Sequence, residues 1–180
     1  MSAIHLETPR LLLRPFSLAY AEELHRMWVE PSMRKFLWDD KIITQETAIE
    51  IIEASEKTFP QNGLGYWVIS LKELLEPVGF CGLRHFRFED QPNNTDEVEI
   101  LYGLTAAHCG KGLATEASVE VLRYGFVELG LPRIYAGADP PNRNSFRVME
   151  RLGMKLLRQT VIDGLDTIYY VLNRDEFSRG

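Results

Sequence analysis

The sequence predicts an α+β fold, with a mixed, largely antiparallel sheet carrying helices on its faces. Three observations point there. Short strand-like runs at 66–71, 78–83, 97–104 and 133–138 are bounded by turn residues. The connections between 66–71 and 78–83, and between 155–162 and 165–172, are too short for a crossover helix, which makes those pairs antiparallel. Stretches with apolar residues at helical spacing separate the other runs.

In order, Leu11-Leu12-Leu13 is strand-like, and Ser17 is a helix N-cap with Leu18, Ala21, Leu24 and Trp28 on one face. Pro31 is expected to end that helix. A second helix starts after Thr44, runs through Ala48, Ile51, Ile52 and Ser55 towards Phe59, and meets its breakers at Pro60 and Gly63. Strands follow at 66–71 and 78–83, joined by a connection containing Pro77, and the polar segment 89–96 reads as an exposed loop. In the strand 97–104, alternation places Glu97 and Glu99 on one face and Val98 and Ile100 on the other. Its Gly103 marks either a bulge or a close approach by a neighbour.

Beyond a turn at Gly110, Leu113, Ala117, Val121 and Tyr124 form a helical stripe that Gly130 and Pro132 terminate. A strand over 133–138 precedes a short helix over 144–152, with Gly153 as its natural C′ residue. The final strands, 155–162 and 165–172, flank Asp163-Gly164, a pair suited to a type I′ turn. No repeat, low-complexity tract or linker interrupts the chain, so a single domain over 1–180 is expected.

Composition narrows the function. The 180 residues are 45% hydrophobic, enough for one well-buried core. A net charge of -6 leaves no basic field to attract nucleic acid or an anionic membrane. Cys81 and Cys109 form no C-x-x-C pair, so neither a disulfide framework nor a metal site is indicated. Glu7, Arg10 and Arg14 interrupt the apolar N-terminal residues, and no apolar run approaches the roughly 20 needed to span a bilayer. A cytoplasmic protein is expected. Oligomeric state, monomer or homodimer, is not legible.

The stretch from Cys109 through Gly110, Lys111, Gly112, Leu113 and Ala114 to Thr115, Glu116 and Ala117 carries the chemistry. It joins a strand to a long helix. Two glycines allow close approach of backbone to an anion, and the free amides and positive dipole end of the following helix point at it. Lys111 adds a mobile positive charge. Thr115 stands where the third glycine of a dinucleotide fingerprint would be, and no G-x-x-x-x-G-K-[ST] is present, so a different phosphate ligand is indicated.

After the strand at 133–138 comes Asp139-Pro140-Pro141-Asn142-Arg143-Asn144-Ser145, and the helix closes on Leu152-Gly153-Met154. The succession of strand, Gly-Lys-Gly-Leu-Ala-Thr-Glu-Ala, helix, strand, Pro-x-Asn-x-x-Ser and Leu-Gly-Met resembles the GNAT acyl-CoA-dependent N-acetyltransferases. Within them it is most similar to the RimJ/RimL-like branch that acetylates N-termini of ribosomal proteins. The opening Thr8-Pro9-Arg10-Leu11-Leu12-Leu13-Arg14 matches that branch's first strand, and the resemblance spans essentially the whole chain.

The resemblance implies a central sheet of about seven strands, splayed between the fourth (97–104) and fifth (133–138). The pantetheine arm of the co-substrate acetyl-CoA would enter the gap, with no metal. It implies cofactor contacts by Leu104, Thr105, Cys109, Gly110, Lys111, Gly112, Leu113, Ala114, Asn142 and Ser145. A backbone amide near Leu104 would polarise the thioester carbonyl. Glu99 matches a branch glutamate and would serve as general base, burial raising its pKa; outside the resemblance, a solvated Glu99 is the alternative. The usual proton-donating Tyr, seven residues after the motif Asn, is Met149 here, and the resemblance passes that duty to Ser145. As plain residues, Asn142 and Ser145 are good helix caps. His108 is either a ligand contact or a loop residue without a role, and Arg143 and Arg147 either meet the CoA 3′-phosphate or are solvated charges.

The implied activity is acetyl transfer from acetyl-CoA to a primary amine, either a protein N-terminus or a small molecule. The alternative is a non-catalytic module that senses acyl-CoA. A dinucleotide-dependent oxidoreductase fits poorly, because the glycine turn comes late and lacks the third glycine.

Overall fold

A computed structural model describes residues 4–88, 96–162 and 164–177. The elements run β1 (Leu6–Glu7), β2 (Leu11–Pro15), α1 (Ala21–Trp28), α2 (Pro31–Leu37), α3 (Gln45–Asn62), β3 (Gly65–Leu71), β4 (Pro77–Phe86), β5 (Glu97–Leu104), α4 (Leu113–Arg123), β6 (Arg133–Ala138), α5 (Arg143–Arg151), β7 (Lys155–Ile162) and β8 (Leu165–Asn173). They form an α+β fold whose eight-stranded sheet has the order β1-β2-β3-β4-β5-β6-β8-β7. Among the described residues only β5 and β6 pair in parallel, and they share a single register pair, Glu99 with Tyr135. By contrast β4 and β5 pair continuously, from Gly79 with Leu104 to Phe86 with Glu97. The sheet therefore splays beyond Glu99, between the strands the sequence numbered fourth and fifth. The eighth strand is β1, a two-residue extension on Leu12 and Leu13 that is too short to leave a sequence signal.

Both faces of the central strands are buried. On one, Leu83, Ile100 and Ile134 pack with Leu113, Ala117 and Val121 of α4 and Met149 of α5. On the other, Val68 and Phe80 meet Leu24 and Trp28 of α1, Met33 of α2 and Ile52 of α3. Burial on both sides explains why the strands read as nearly continuous apolar runs.

Several expectations need correction. Ser17 caps only a 3₁₀ turn, accepting from the Ala19 amide at 3.4 Å, and Leu18 is 46% exposed rather than on the buried face. Pro31 opens α2 instead of merely ending α1: its missing N–H costs nothing in the first turn, where that donor has no intrahelical partner. Pro60 lies inside α3, and the helix ends at Gly63, whose φ of 77° supplies the left-handed cap. Gly103 carries no bulge. The β4–β5 register passes through it unshifted, and a Cβ there would lie 2.7 Å from the Phe80 ring, so the glycine makes room for Phe80.

Gly153 does end α5. The Gly153 amide donates to Glu150 and the Met154 amide to Met149, a Schellman closure with φ of 75° at Gly153. The polar segment 89–95 and Asp163 of the proposed type I′ turn lie outside the described residues. No helix among the described residues is long and apolar enough to cross a membrane.

Candidate functional site

The site is built around the split. β5 continues from Ile100 to Leu104 without a β6 partner. The Thr105 amide donates to Val78 on the β4 side at 2.9 Å. Because successive amides of a strand alternate sides, the Leu104 amide turns the other way, towards the opened gap.

The chain then makes a 3₁₀ turn, Ala106–His108, in which Thr105 Oγ1 and His108 Nδ1 are 2.8 Å apart. Gly110 and Gly112 both take left-handed φ, 76° and 77°. A Cβ on Gly110 would meet nothing within 4 Å, and one on Gly112 only an Arg10 nitrogen at 3.6 Å. The amides of residues 110–115 make no hydrogen bond within the described residues, the expected state of a helix start awaiting an anion. The buried Thr115 hydroxyl likewise has no partner. Open space, free amides and an orphan hydroxyl fit a pyrophosphate. Cys109 is exposed, and partial burial and then Glu30 push its thiol up, keeping it protonated.

What holds this loop is the N-terminal strand. Glu116 Oε1 accepts from the Thr8 hydroxyl at 2.6 Å and the Arg10 amide at 2.9 Å, while Oε2 accepts from Arg10 Nε at 2.6 Å. Arg10 also donates to the Lys111 carbonyl at 3.1 Å. The opening Thr-x-Arg motif and the Glu of the loop motif are thus one contact. Burial pushes the Glu116 carboxyl up, but the Thr8 and Arg10 bonds outweigh it and hold it below its ordinary value. A depressed carboxyl adds stability at neutral pH that is lost as pH falls through the folded value. Glu116→Gln is therefore expected to lower the thermal unfolding midpoint at neutral pH and to narrow its gap to wild type on acidification, as scanning calorimetry would show.

Glu99 is only 4% exposed, which rules out the solvated alternative. Arg84 of β4, its cross-strand partner, donates from Nε to Oε1 at 2.7 Å, and its Nη2 makes an ion-pair contact with the same oxygen, also at 2.7 Å. Burial pushes the carboxyl up and Arg84 opposes it, with a net rise. Tyr66 of β3 lies within electrostatic reach of both, its hydroxyl pushed up to about 12 by burial. Glu97, on the same face, is held by Arg133 at 2.7 Å.

On the gap's other side, the Asn142 side chain accepts from the Ser145 amide at 3.3 Å, capping α5. The Tyr102 hydroxyl of β5 donates to the Ser145 carbonyl at 3.1 Å, so Ser145 stands beside the unpaired half of β5. Met149 is 1% exposed and packed in the core. Arg143 and Arg147 are exposed on α5. The structure thus brings Leu104, Thr105 and the 109–114 loop to one end of the gap and connects Ser145 to it through Tyr102. Sequence reasoning missed Arg84, Tyr66, Tyr102, Thr115 and the Thr8–Arg10–Glu116 contact. Only the motif spacing of Thr8, Arg10 and Glu116 carried a signal. No group of three or more His, Cys, Asp or Glu among the described residues is placed to hold a metal ion.

Comparison with known proteins identifies the family and the fold. The family described as acetyltransferase (GNAT) domain matches residues 10–155. The uncharacterized N-acetyltransferase p20 of Bacillus licheniformis is 32% identical over 150 residues, covering 83% of this chain and 82% of that protein. A solved acetyltransferase from Agrobacterium tumefaciens superposes with a TM-score of 0.80 at 25% identity, covering 96% of each chain. RimL, a ribosomal L7/L12 alpha-N-protein acetyltransferase solved in complex with coenzyme A, shares the fold at a TM-score of 0.77 and 16% identity, over 96% of this chain and 99% of its own.

Proposed function

The chain belongs to the GNAT family of acetyltransferases, and we propose that it is a single catalytic domain moving the acetyl group of acetyl-CoA to a primary amine, on a protein N-terminus or a small molecule. The observation that carries this reading is the split after the Glu99–Tyr135 pair, with a buried carboxylate at its closed end and two left-handed glycines beyond its open end. RimL, with coenzyme A bound, has the same fold, which supports placing the arm of acetyl-CoA in this gap.

Acetyl-CoA supplies an activated acyl carbon. The chain's residues do the rest. The 110–115 amides and Thr115 hydroxyl hold the pyrophosphate, with Lys111 as countercharge. The Leu104 amide donates to the thioester oxygen as negative charge develops there. Glu99, through Oε2, takes the proton that the ammonium must lose before it can attack. As the C–N bond forms and the C–S bond breaks, Ser145 passes its hydroxyl proton to the departing sulfur and takes the remaining proton that the new amide nitrogen sheds, a task the buried Met149 cannot perform.

Ser145→Ala is expected to lower turnover about tenfold or more while acetyl-CoA affinity holds. Asn142→Ala should weaken acetyl-CoA binding more than turnover, because it loosens the cap facing the arm. Steady-state kinetics with calorimetric binding separates the two; full turnover in Ser145→Ala removes Ser145 as the acid.

The reading as a whole is tested by following thiol release from acetyl-CoA across a panel of primary amines and N-terminal peptides. Acetyl-CoA binding without release from any acceptor would instead favour a sensing module, the alternative to which Met149 at the donor position points.

A further inference from the structure

We propose that Arg84 is a positioning residue for acetyl transfer, holding Glu99 ionised and oriented with its second oxygen, Oε2, turned to the acceptor side. This rests on the acetyl-transfer reading above.

The geometry is specific. Arg84 Nε donates to Oε1 and Nη2 makes an ion-pair contact with the same oxygen, both at 2.7 Å, and no group among the described residues bonds Oε2. The Glu99 side chain is 5% exposed while that of Arg84 is 53% exposed. The carboxylate is thus enclosed and the guanidinium is the solvated member of the pair. A carboxylate so enclosed would take up a proton without a countercharge, and a protonated Glu99 cannot accept one from an ammonium. With the guanidinium engaged at Oε1, the lone pairs of Oε2 are left as the carboxylate's remaining basic positions.

Among the described residues, Arg84 is the cation whose charge acts on Glu99. Glu97, two residues earlier on the same strand face, is neutralised by Arg133. From β3 the facing group is the Tyr66 hydroxyl, which stays protonated. The strand partner on β6 is Tyr135, whose hydroxyl is likewise pushed up, first by burial and then by Glu97. From β8, Tyr169 lies within electrostatic reach of Arg84. Arg84 is the cation bonded to Glu99, and it comes from the strand that stays paired with β5 past the point where β6 leaves.

The experiment follows the Glu99 carboxyl by carbon-13 NMR in protein labelled at the glutamate side-chain carboxyls, the resonance assigned by its loss in Glu99→Gln. Wild type, Arg84→Gln and Arg84→Lys are titrated without ligand, and the acid limb of kcat/KM is measured with the best amine of the panel. In Arg84→Gln the Glu99 midpoint and the acid limb are expected to rise together by about one pH unit or more. On the acid side of both midpoints kcat/KM should then be about tenfold lower than in wild type for each unit of rise, with acetyl-CoA affinity by calorimetry unchanged. Arg84→Lys keeps the charge and should recover most of both, which a purely structural role would not predict. Unmoved midpoints in a folded Arg84→Gln, or a moved midpoint with an unmoved acid limb, overturn the proposal while the acetyl-transfer reading stands. Wild type without turnover on any amine sinks both.

Discussion

Glu99→Gln should lower kcat/KM at neutral pH by at least about tenfold, since general bases typically contribute about 10²- to 10⁴-fold. The substitution keeps the side-chain shape and leaves a carbonyl oxygen able to accept from Arg84, so the β4–β5 contact survives at Oε1. What disappears is the charge that accepts the ammonium proton. Burial raises the Glu99 carboxyl above its ordinary value, so wild-type kcat/KM should fall as pH drops through that raised midpoint. The variant should lack this limb. Its activity should partly recover at high pH, where more acceptor is already neutral. Acetyl-CoA affinity should hardly change, because the anion loop lies beyond the end of β5. Superimposable pH profiles for the two forms would remove Glu99 as the base.

Gly110→Asp should largely abolish stabilisation by acetyl-CoA. At one hundred times its dissociation constant, a ligand that binds only the folded state stabilises by about 2.7 kcal/mol. In wild type this should appear as a clear upward shift in thermal midpoint. The variant places a carboxylate among the free amides of residues 110–115, where the pyrophosphate would sit, so repulsion and occupation act together. The fold itself should survive. A Cβ at Gly110 meets nothing within 4 Å, and Asp is among the residues that tolerate a φ of 76°. Gly110→Ala brings the same backbone strain without charge and should keep most of the shift. Equal acetyl-CoA shifts in wild type and Gly110→Asp would refute the placement of phosphate in this loop.

These two residues also divide what could be read from the chain from what could not. Gly110 was legible because its role is local: glycines where a strand meets a helix announce left-handed backbone and free amides wherever the rest of the chain goes. The helix stop at Gly153 and the stripe of Leu113, Ala117 and Val121 were legible for the same reason, since caps and periodicity act within a few residues. The order of such local signals along the chain was enough to indicate the α+β fold and the resemblance to the family, and the resemblance implied a split sheet, though not the residue at which it opens.

Glu99 was only half legible. Alternation put it on the face opposite Val98, but whether that face was wet or buried depends on Arg84, fifteen positions earlier, and on Tyr66 beyond it. Cross-strand register decides that pairing, and no window of sequence contains it. The same holds for Glu116, whose partners Thr8 and Arg10 lie more than one hundred positions away. It holds too for Gly103, where the choice between bulge and close packing fell to the ring of Phe80. By itself the sequence determined the conformations that few-residue interactions dictate and the motifs built from them. The tertiary structure alone decided which charges are buried, which partners neutralise them and where the sheet opens, because desolvation and ion pairing depend on distances set by the whole fold.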